Sequence, residues 1–257
     1  MTNAFVLTFI LAFIIQILFF IIAATFKTDK VTDLAYGLTF VFLAWCLFLT
    51  QSAQLPAQLW LTWLITVWGL RLASYLFIRI IKMGRDKRFD GIREKFISFL
   101  KFWIFQALAI GIIMLPSTYL LSSDKAMGQN FNFWLGIIVF FFGLAIEAIA
   151  DWQKFVFKNN PQNKGQWIET GLWKYSRYPN YFGEMTLWWG IFILTLNHQT
   201  GWSYLTILGP VFITYILLFV SGIPPLEKRY ESKYKKNKKY QLYKKQTSLL
   251  IPWPKKK

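Results

Sequence analysis

The chain is poor in the residues that build soluble metal and redox sites. Its one cysteine, Cys46, excludes an intrachain disulfide and any metal site built from several cysteines. Its one histidine, His198, excludes zinc motifs that need paired histidines. A G-x-G-x-x-G motif and a Walker loop are also absent from the sequence. A bound nucleotide would therefore not sit in a Rossmann or P-loop domain, and we predict no metal.

Acidic residues are scarce as well. The chain has 12 Asp and Glu against 29 Lys and Arg, a formal net charge of +17. In a soluble protein this balance would favour nucleic acid as a partner. Here 12 of the basic residues fall between residues 228 and 257, and most others lie in short segments between apolar runs. Basic segments beside a membrane favour anionic head groups, so we predict membrane lipids as partners and no nucleic acid.

Apolar residues dominate what is present. The chain is 55% hydrophobic and 20% aromatic, with a mean hydropathy of +0.37. Each apolar segment is close to the roughly 20 residues that a membrane helix needs, and none alternates as a barrel strand would. We therefore predict an all-α polytopic membrane helix bundle, a single domain over residues 1–257. Its expected seven transmembrane helices are residues 4–26, 31–50, 57–82, 96–121, 131–153, 181–197 and 202–222.

The basic residues are distributed asymmetrically over the connections between these segments. They concentrate after the first, third, fifth and seventh segments, whereas the connections after the second, fourth and sixth contain only Lys125. The positive-inside rule then predicts an outside N-terminus and a cytoplasmic C-terminus. The tail, residues 223–257, is basic but carries four tyrosines among residues 230–243. We expect part of this tail to fold against the bundle.

Three sets of polar residues interrupt the apolar segments or flank them. Within each set the spacing is four, which places the members on one helix face: Arg71, Tyr75 and Arg79; Glu147 and Asp151; Asn180 and Glu184. Polar side chains at membrane depth are costly, so a functional cavity facing the cytoplasm is the favoured interpretation. Arginines that snorkel to the interface and structural ion pairs are the alternatives. The cations of the loops suit a phosphate-bearing cofactor.

Residues 177–184, Arg-Tyr-Pro-Asn-Tyr-Phe-Gly-Glu, resemble a motif of the steroid 5α-reductase family, in its bacterial branch. Further matching stretches are residues 68–72, 86–90, 147–151, 240–243, 247–248 and 251–252. Members of that family are seven-helix membrane enzymes that use NADPH to reduce a carbon–carbon double bond conjugated to a ketone. The resemblance implies the same activity here, on a lipid-soluble substrate in a bacterial inner membrane.

The resemblance also implies a set of site residues. Those that would bind NADPH are Arg88, Glu147, Asp151, Lys158, Arg177, Tyr178, Asn180, Glu184 and Tyr243. Glu147 stands where the steroid enzymes have an asparagine, and Trp68 stands where they have the tyrosine that serves the substrate carbonyl. We predict that Tyr75 with Arg71 takes over that catalytic role. Because of these departures, the substrate is expected to be an enone-like lipid rather than a steroid in particular.

Isoprenylcysteine-type methyltransferases provide the alternative resemblance. They carry a similar Arg-His-Pro-x-Tyr run, with Tyr178 here at the histidine position. Asn180 and the pair Gly183-Glu184 favour the reductase. S-adenosylmethionine, the methyltransferase cofactor, has no phosphate to use the loop cations. A non-enzymatic binding or structural membrane protein is a third hypothesis, in which Asn180 and Glu184 would tolerate substitution by alanine.

Overall fold

A computed structural model describes residues 2–51, 54–84, 86, 89–125 and 128–255 of the chain. In those ranges the repeating structure is helical, which confirms the all-α prediction. The α-helices are α1 (Thr2–Thr25), α2 (Thr32–Leu49), α3 (Pro56–Met83), α4 (Phe96–Ile113), α5 (Leu115–Leu121), α6 (Phe131–Asn159), α7 (Pro179–Thr195), α8 (Leu208–Tyr215), α9 (Ile223–Tyr234) and α10 (Lys238–Gln246).

Six helical segments of the described ranges are long and apolar enough to cross a membrane. They are α1 to α4, α6 and the composite segment Gly201–Tyr234. The predicted span 181–197 forms α7, which at 17 residues is slightly shorter. The predicted span 96–121 is not one continuous helix, because α4 ends at Ile113 and α5 follows after Met114. Pro116 lacks the backbone N–H that a continuous helix would use there.

The predicted span 202–222 is also irregular. Its first part, Gly201–Ile207, is a 3-10 helix, α8 follows, and Ile216–Val220 is a π-helix. Pro210 lies in the first turn of α8, where a missing N–H costs nothing. After the π-helix, the N–H of Ser221 bonds the carbonyl of Ile216 at 2.8 Å. The chain then enters α9, whose first turn contains Pro224 and Pro225.

The chain forms two compact units, and each is described by itself. Unit 1 comprises Met1–Trp134 and Ile191–Gly209, and unit 2 comprises Leu135–Gly190 and Pro210–Lys257. The single domain over 1–257 stays a prediction. The apolar helices α1 to α5 all belong to unit 1. Unit 2 holds most of α6 and α7 together with the whole basic tail.

Unit 1 is held together by close helix packing and by a buried polar network. A Cβ added at Gly37 would lie 2.7 Å from the carbonyl oxygen of Gly69, so α2 and α3 touch through their backbones. Gln16 Nε2 donates to Thr39 Oγ1 at 2.8 Å, and Gln106 Nε2 donates to Gln16 Oε1 at 3.0 Å. These bonds join α1, α2 and α4 where lipid offers polar groups no partner.

In unit 2 the tail packs on the polar loop between α6 and α7. The hydroxyl of Tyr234 donates to the carbonyl of Gly165 at 2.7 Å, and that of Tyr243 donates to the carbonyl of Trp173 at 2.8 Å. Beyond α10, an isolated bridge pairs Ser176 with Ser248. The aromatic tail is therefore folded, and the loop and the tail form one cluster. The contacts that show this are with the loop, so packing of the tail against the bundle itself stays a prediction.

Candidate functional site

The candidate site in unit 2 is built on two antiparallel helices that touch through glycines. A Cβ added at Gly183 of α7 would lie 2.6 Å from the backbone nitrogen of Glu147 and from the carbonyl of Gly143, both on α6. Two turns further along α7, a Cβ at Gly190 would lie 2.6 Å from the backbone nitrogen of Phe140. Only glycine permits such contact, since any side chain would push the helices apart.

This contact fixes where four of the predicted cofactor residues lie. Glu147 is 2% exposed and Asp151, one turn later on α6, is 5% exposed. Asn180 and Glu184 are half-buried on either side of Gly183 in the first turns of α7. Because Gly183 touches the Glu147 backbone, the α7 turn that carries Asn180 and Glu184 lies against the α6 turn that begins at Glu147.

Asn180 contains an unused acceptor. Its Oδ1 atom is inaccessible to solvent and accepts no hydrogen bond in the described structure. A buried carbonyl oxygen without a donor costs about 1–3 kcal/mol. A ligand with an N–H or O–H group at this position would remove that cost. The amide is therefore suited to a carboxamide or hydroxyl group, which fits the ligand that the sequence predicts.

The start of α7 is held by a residue that the sequence analysis did not single out as a site residue, Glu227 of α9. One of its carboxylate oxygens accepts from the guanidinium of Arg177 at 2.6 Å, and the other accepts from the hydroxyl of Tyr178 at 2.7 Å. Lys244 lies 3.6 Å from the same carboxylate. The available signal was one of two carboxylates, Glu227 and Glu231, at the start of a very basic tail. Its partners 50 residues away carry no local pattern.

Tyr178 is a structural donor in this arrangement. It is almost fully buried, and its ring stacks on that of Tyr181 at a centroid distance of 5.8 Å. Burial, followed by the hydrogen bond to Glu227, raises the pKa of the Tyr178 phenol above its ordinary value. The phenol therefore stays protonated and donates at neutral pH. The predicted site residues Arg177 and Tyr178 both have Glu227 as a hydrogen-bond partner, which aligns the start of α7. Their roles in cofactor binding stay predictions.

The loop before α7 is anchored to the end of α6 beside Asp151. The indole N–H of Trp173 donates to the carbonyl of Ala150 at 3.0 Å, and Gln153 Oε1 accepts from the N–H of Leu172 at 3.0 Å. The ammonium of Lys154 lies 4.6 Å from the centre of the Trp173 ring. These contacts join the loop to the last turns of α6, on either side of the buried Asp151 in sequence.

Lys158 lies on the last turn of α6 and faces the tail. Its ammonium donates to the carbonyl of Gln166 at 2.7 Å. Gln166 follows Gly165, to which Tyr234 is bonded, so Lys158 lies near the end of α9. Lys233 directly precedes Tyr234 on that helix, and Arg229 lies one turn before Lys233. Three cations in one neighbourhood repel one another and favour an anion such as phosphate.

Tyr243 is buried within the tail. It is 6% exposed and packs with Trp167, Tyr234 and Tyr240 in a small aromatic core. Burial raises the pKa of its phenol above the ordinary value. Because its hydroxyl proton goes to the carbonyl of Trp173, Tyr243 could only accept from a ligand.

The predicted catalytic pair lies in unit 1, on α3. The guanidinium groups of Arg71 and Arg79 each lie 6.0 Å from the centre of the Tyr75 ring, one turn before it and one turn after it. Arg79 also forms an ion pair with Asp33 at 3.1 Å. Arg71 and Arg79 thus lie on the same helix face as Tyr75, as their spacing of four predicts. Arg88, another predicted residue, lies outside the described residues.

Comparison with known proteins adds three findings. Over 70 residues the chain is 40% identical to the Probable O-methyltransferase ustE of Ustilaginoidea virens, a match covering 26% of this chain and 24% of that protein. The chain thus spans about a quarter of that relative's length. No solved structure matches the chain. Residues 19–247 match the family described as "Protein of unknown function (DUF1295)". The chain belongs to this DUF1295 family, which is a steroid 5α-reductase-like family of membrane proteins.

Proposed function

We propose that the protein is an NADPH-dependent membrane reductase of a carbon–carbon double bond conjugated to a carbonyl in a lipidic substrate. In this proposal the cofactor binds unit 2 from the cytoplasm, and the N-terminus lies outside a bacterial inner membrane. The observation that carries the proposal is the glycine contact between α6 and α7, which sets Glu147 against the turn that contains Asn180. Membership of the DUF1295 family supports the same class of enzyme.

The groups on these two helices complement a dinucleotide. The buried Oδ1 of Asn180 needs a donor, which the carboxamide N–H of a nicotinamide would provide. Carboxylates such as Glu147 and Asp151 accept hydrogen bonds from ribose hydroxyls. Lys158, with Arg229 and Lys233 near it, would neutralise phosphate. NADPH supplies a hydride when bound, and the residues of this chain bind and orient it.

At the substrate, a donor must polarise the carbonyl and stabilise the oxyanion that develops on it. In the proposal the Tyr75 hydroxyl donates to that oxygen. The guanidinium of Arg71, 6.0 Å from the centre of the Tyr75 ring, stabilises the negative charge that the phenol gains as its proton moves. A Tyr75→Phe variant would then retain cofactor binding and lose turnover.

A methyltransferase that uses S-adenosylmethionine is the second candidate. The observation in its favour is the partial similarity to a protein named as a probable O-methyltransferase. The charges of unit 2 weigh against it. S-adenosylmethionine carries a sulfonium and no phosphate, so Lys158, Arg229 and Lys233 would repel the cofactor instead of binding it.

The test is the thermal stability of the detergent-purified protein with NADPH, NADP⁺, NADH or S-adenosylmethionine. A ligand at 100 times its Kd stabilises the folded state by about 2.7 kcal/mol. We expect NADPH to raise the melting temperature and Asn180→Ala to abolish the rise. Asn132→Ala is the matched control, since the exposed Asn132 side chain of unit 1 bonds Asn197 and no other residue that the structure describes.

Each other outcome has a definite meaning. A rise with S-adenosylmethionine alone would replace the reductase by the methyltransferase. No rise with any of the four ligands, together with an unchanged melting temperature in Asn180→Ala, would favour a non-enzymatic protein. Once NADPH binding is established, loss of NADPH absorbance with enone lipids identifies the substrate class.

A further inference from the structure

The helix α10 has two faces of different character. Its inner face contributes Tyr240 and Tyr243 to the aromatic core around Trp167, where ring centroids lie 5.2 Å (Tyr240) and 6.4 Å (Tyr243) from that of the indole. Residues three, four and seven apart share a helix face, so the opposite face combines positions 238, 241, 242 and 245. The proposed cofactor site does not use this outer face.

The outer face borders an open groove of about 350 Å³. We name it the lysine face, and its members are Lys235, Lys236, Lys238, Gln241, Leu242 and Lys245. Leu242 lies in the middle of this set and is 55% exposed. A single apolar side chain surrounded by lysines is the composition of a surface that contacts both charged head groups and acyl chains.

The carboxylates near the tail form ion pairs with lysines outside the lysine face. Glu169 pairs with Lys239 at 3.1 Å, and Lys244 pairs with Glu231. In the part of the chain that the structure describes, the four lysines of the lysine face form no ion pair. Of the four, Lys235 is near enough to the Glu231 carboxylate to interact with its charge. The positive charge of the other three is left uncompensated on one side of α10, while Lys239 and Lys244 pair with carboxylates.

We propose that the lysine face binds the phosphate head groups of anionic phospholipids, with Leu242 inserted between them. A cluster of about four to eight basic residues directly after a membrane segment is the pattern that binds acidic lipids. α10 starts four residues after α9 ends, and α9 follows directly on the last apolar residues of the candidate membrane segment. The lysine face therefore belongs to the basic tail that follows this segment.

The same face is less suited to nucleic acid. Binding of single strands relies on exposed aromatic rings on which bases stack. The tyrosines of α10 are buried in the aromatic core, so the lysine face offers charge without a stacking surface. Lipid binding here does not depend on the identity of the cofactor, so it stands or falls separately from the proposed reductase.

The experiment uses the full chain in nanodiscs. Leu242→Cys in a Cys46→Ser background gives one cysteine for a polarity-sensitive fluorophore. We expect a blue shift in discs of equal phosphatidylcholine and phosphatidylglycerol relative to phosphatidylcholine alone. The shift should vanish in 1 M NaCl, where the Debye length is about 3 Å. It should also vanish when the four lysines of the face are changed to glutamine.

A matched control removes four positive charges elsewhere, by substitution of glutamine for Lys27, Lys30, Lys164 and Lys174. This variant should retain the full shift. Equal emission in both kinds of disc would overturn the proposal, as would a shift that survives loss of the four lysines of the face. A shift produced by RNA in neutral discs, with none from phosphatidylglycerol, would overturn it in favour of nucleic-acid binding.

Discussion

Substitution of Glu227 by glutamine tests whether the tail holds the start of α7. The carboxylate accepts two charge-assisted hydrogen bonds, from Arg177 at 2.6 Å and from Tyr178 at 2.7 Å. Its side chain is 23% exposed and that of Arg177 is 13% exposed, so solvent compensates only partly for a loss of charge. Glutamine keeps the size of the side chain and offers one acceptor instead of two charged oxygens.

The expected cost follows from these two bonds. Hydrogen bonds to charged groups contribute about 1.5–3 kcal/mol each, and glutamine retains part of one of them. We therefore expect Glu227→Gln to lower the free energy of unfolding by about 2–3 kcal/mol. For a chain of this length that corresponds to a fall in melting temperature of roughly 5–10 °C. Thermal unfolding of the purified protein in detergent, followed by circular dichroism, measures it.

Glu231→Gln is the matched control, four residues later on the same helix. The Glu231 carboxylate pairs with Lys244 and is exposed to solvent. The melting temperature of Glu231→Gln should therefore match that of the wild type. The reasoning also predicts non-additivity, because Tyr178→Phe and Glu227→Gln remove the same bond. If Glu227→Gln and Glu231→Gln had the same melting temperature, the proposal that Glu227 stabilises the start of α7 would be refuted.

Two further predictions concern the helix contact and a histidine outside the membrane segments. Gly183→Ala should destabilise the protein by about 1–3 kcal/mol, because its Cβ would lie 2.6 Å from the Glu147 backbone, whereas Gly128→Ala, with open space around it, should not. Burial and then the nearby charge of Lys125 lower the pKa of His198. The folded state therefore favours neutral His198. The stability of the folded protein is then unaffected by this group above about pH 6.5 and should decrease as the pH falls below that value, because the folded state binds the proton less readily than the unfolded state. Melting temperatures between about pH 7.5 and pH 5 should fall less steeply for His198→Gln.

Hydropathy predicted the helical segments well, because length and apolar character are local properties of the chain. The breaks within these helical segments were harder to predict. Residues 96–121 contain Pro116 near their end, and the same residue is compatible with a kinked helix or with a break. Residues 202–222 change from a 3-10 helix to α8 and then to a π-helix, which no periodicity in the sequence indicates.

The candidate site was predictable where its residues are close in sequence. Spacings of four placed Asn180 with Glu184 and Glu147 with Asp151 on single helix faces. The contact between those faces could have been found from Gly183 and Gly190, which are seven apart and mark one side of α7. Glu227 could not have been found, since its partners lie about 50 residues earlier in the chain. The roles of Tyr75 and Arg71 stay predictions.

The two candidate cofactors make different demands on the two parts of unit 2. The glycine contact sets Glu147 against the turn with Asn180, and both an adenosine ribose and a nicotinamide could use these polar groups. The helices alone therefore do not separate a reductase from a methyltransferase. In the proposal the tail separates them, because Arg229 and Lys233 lie on the end of α9 near Lys158, and positive charge there favours phosphate and repels a sulfonium. Glu227 bonds that tail to the start of α7. Glu227→Gln should therefore weaken the binding of NADPH more than the binding of a ligand without phosphate.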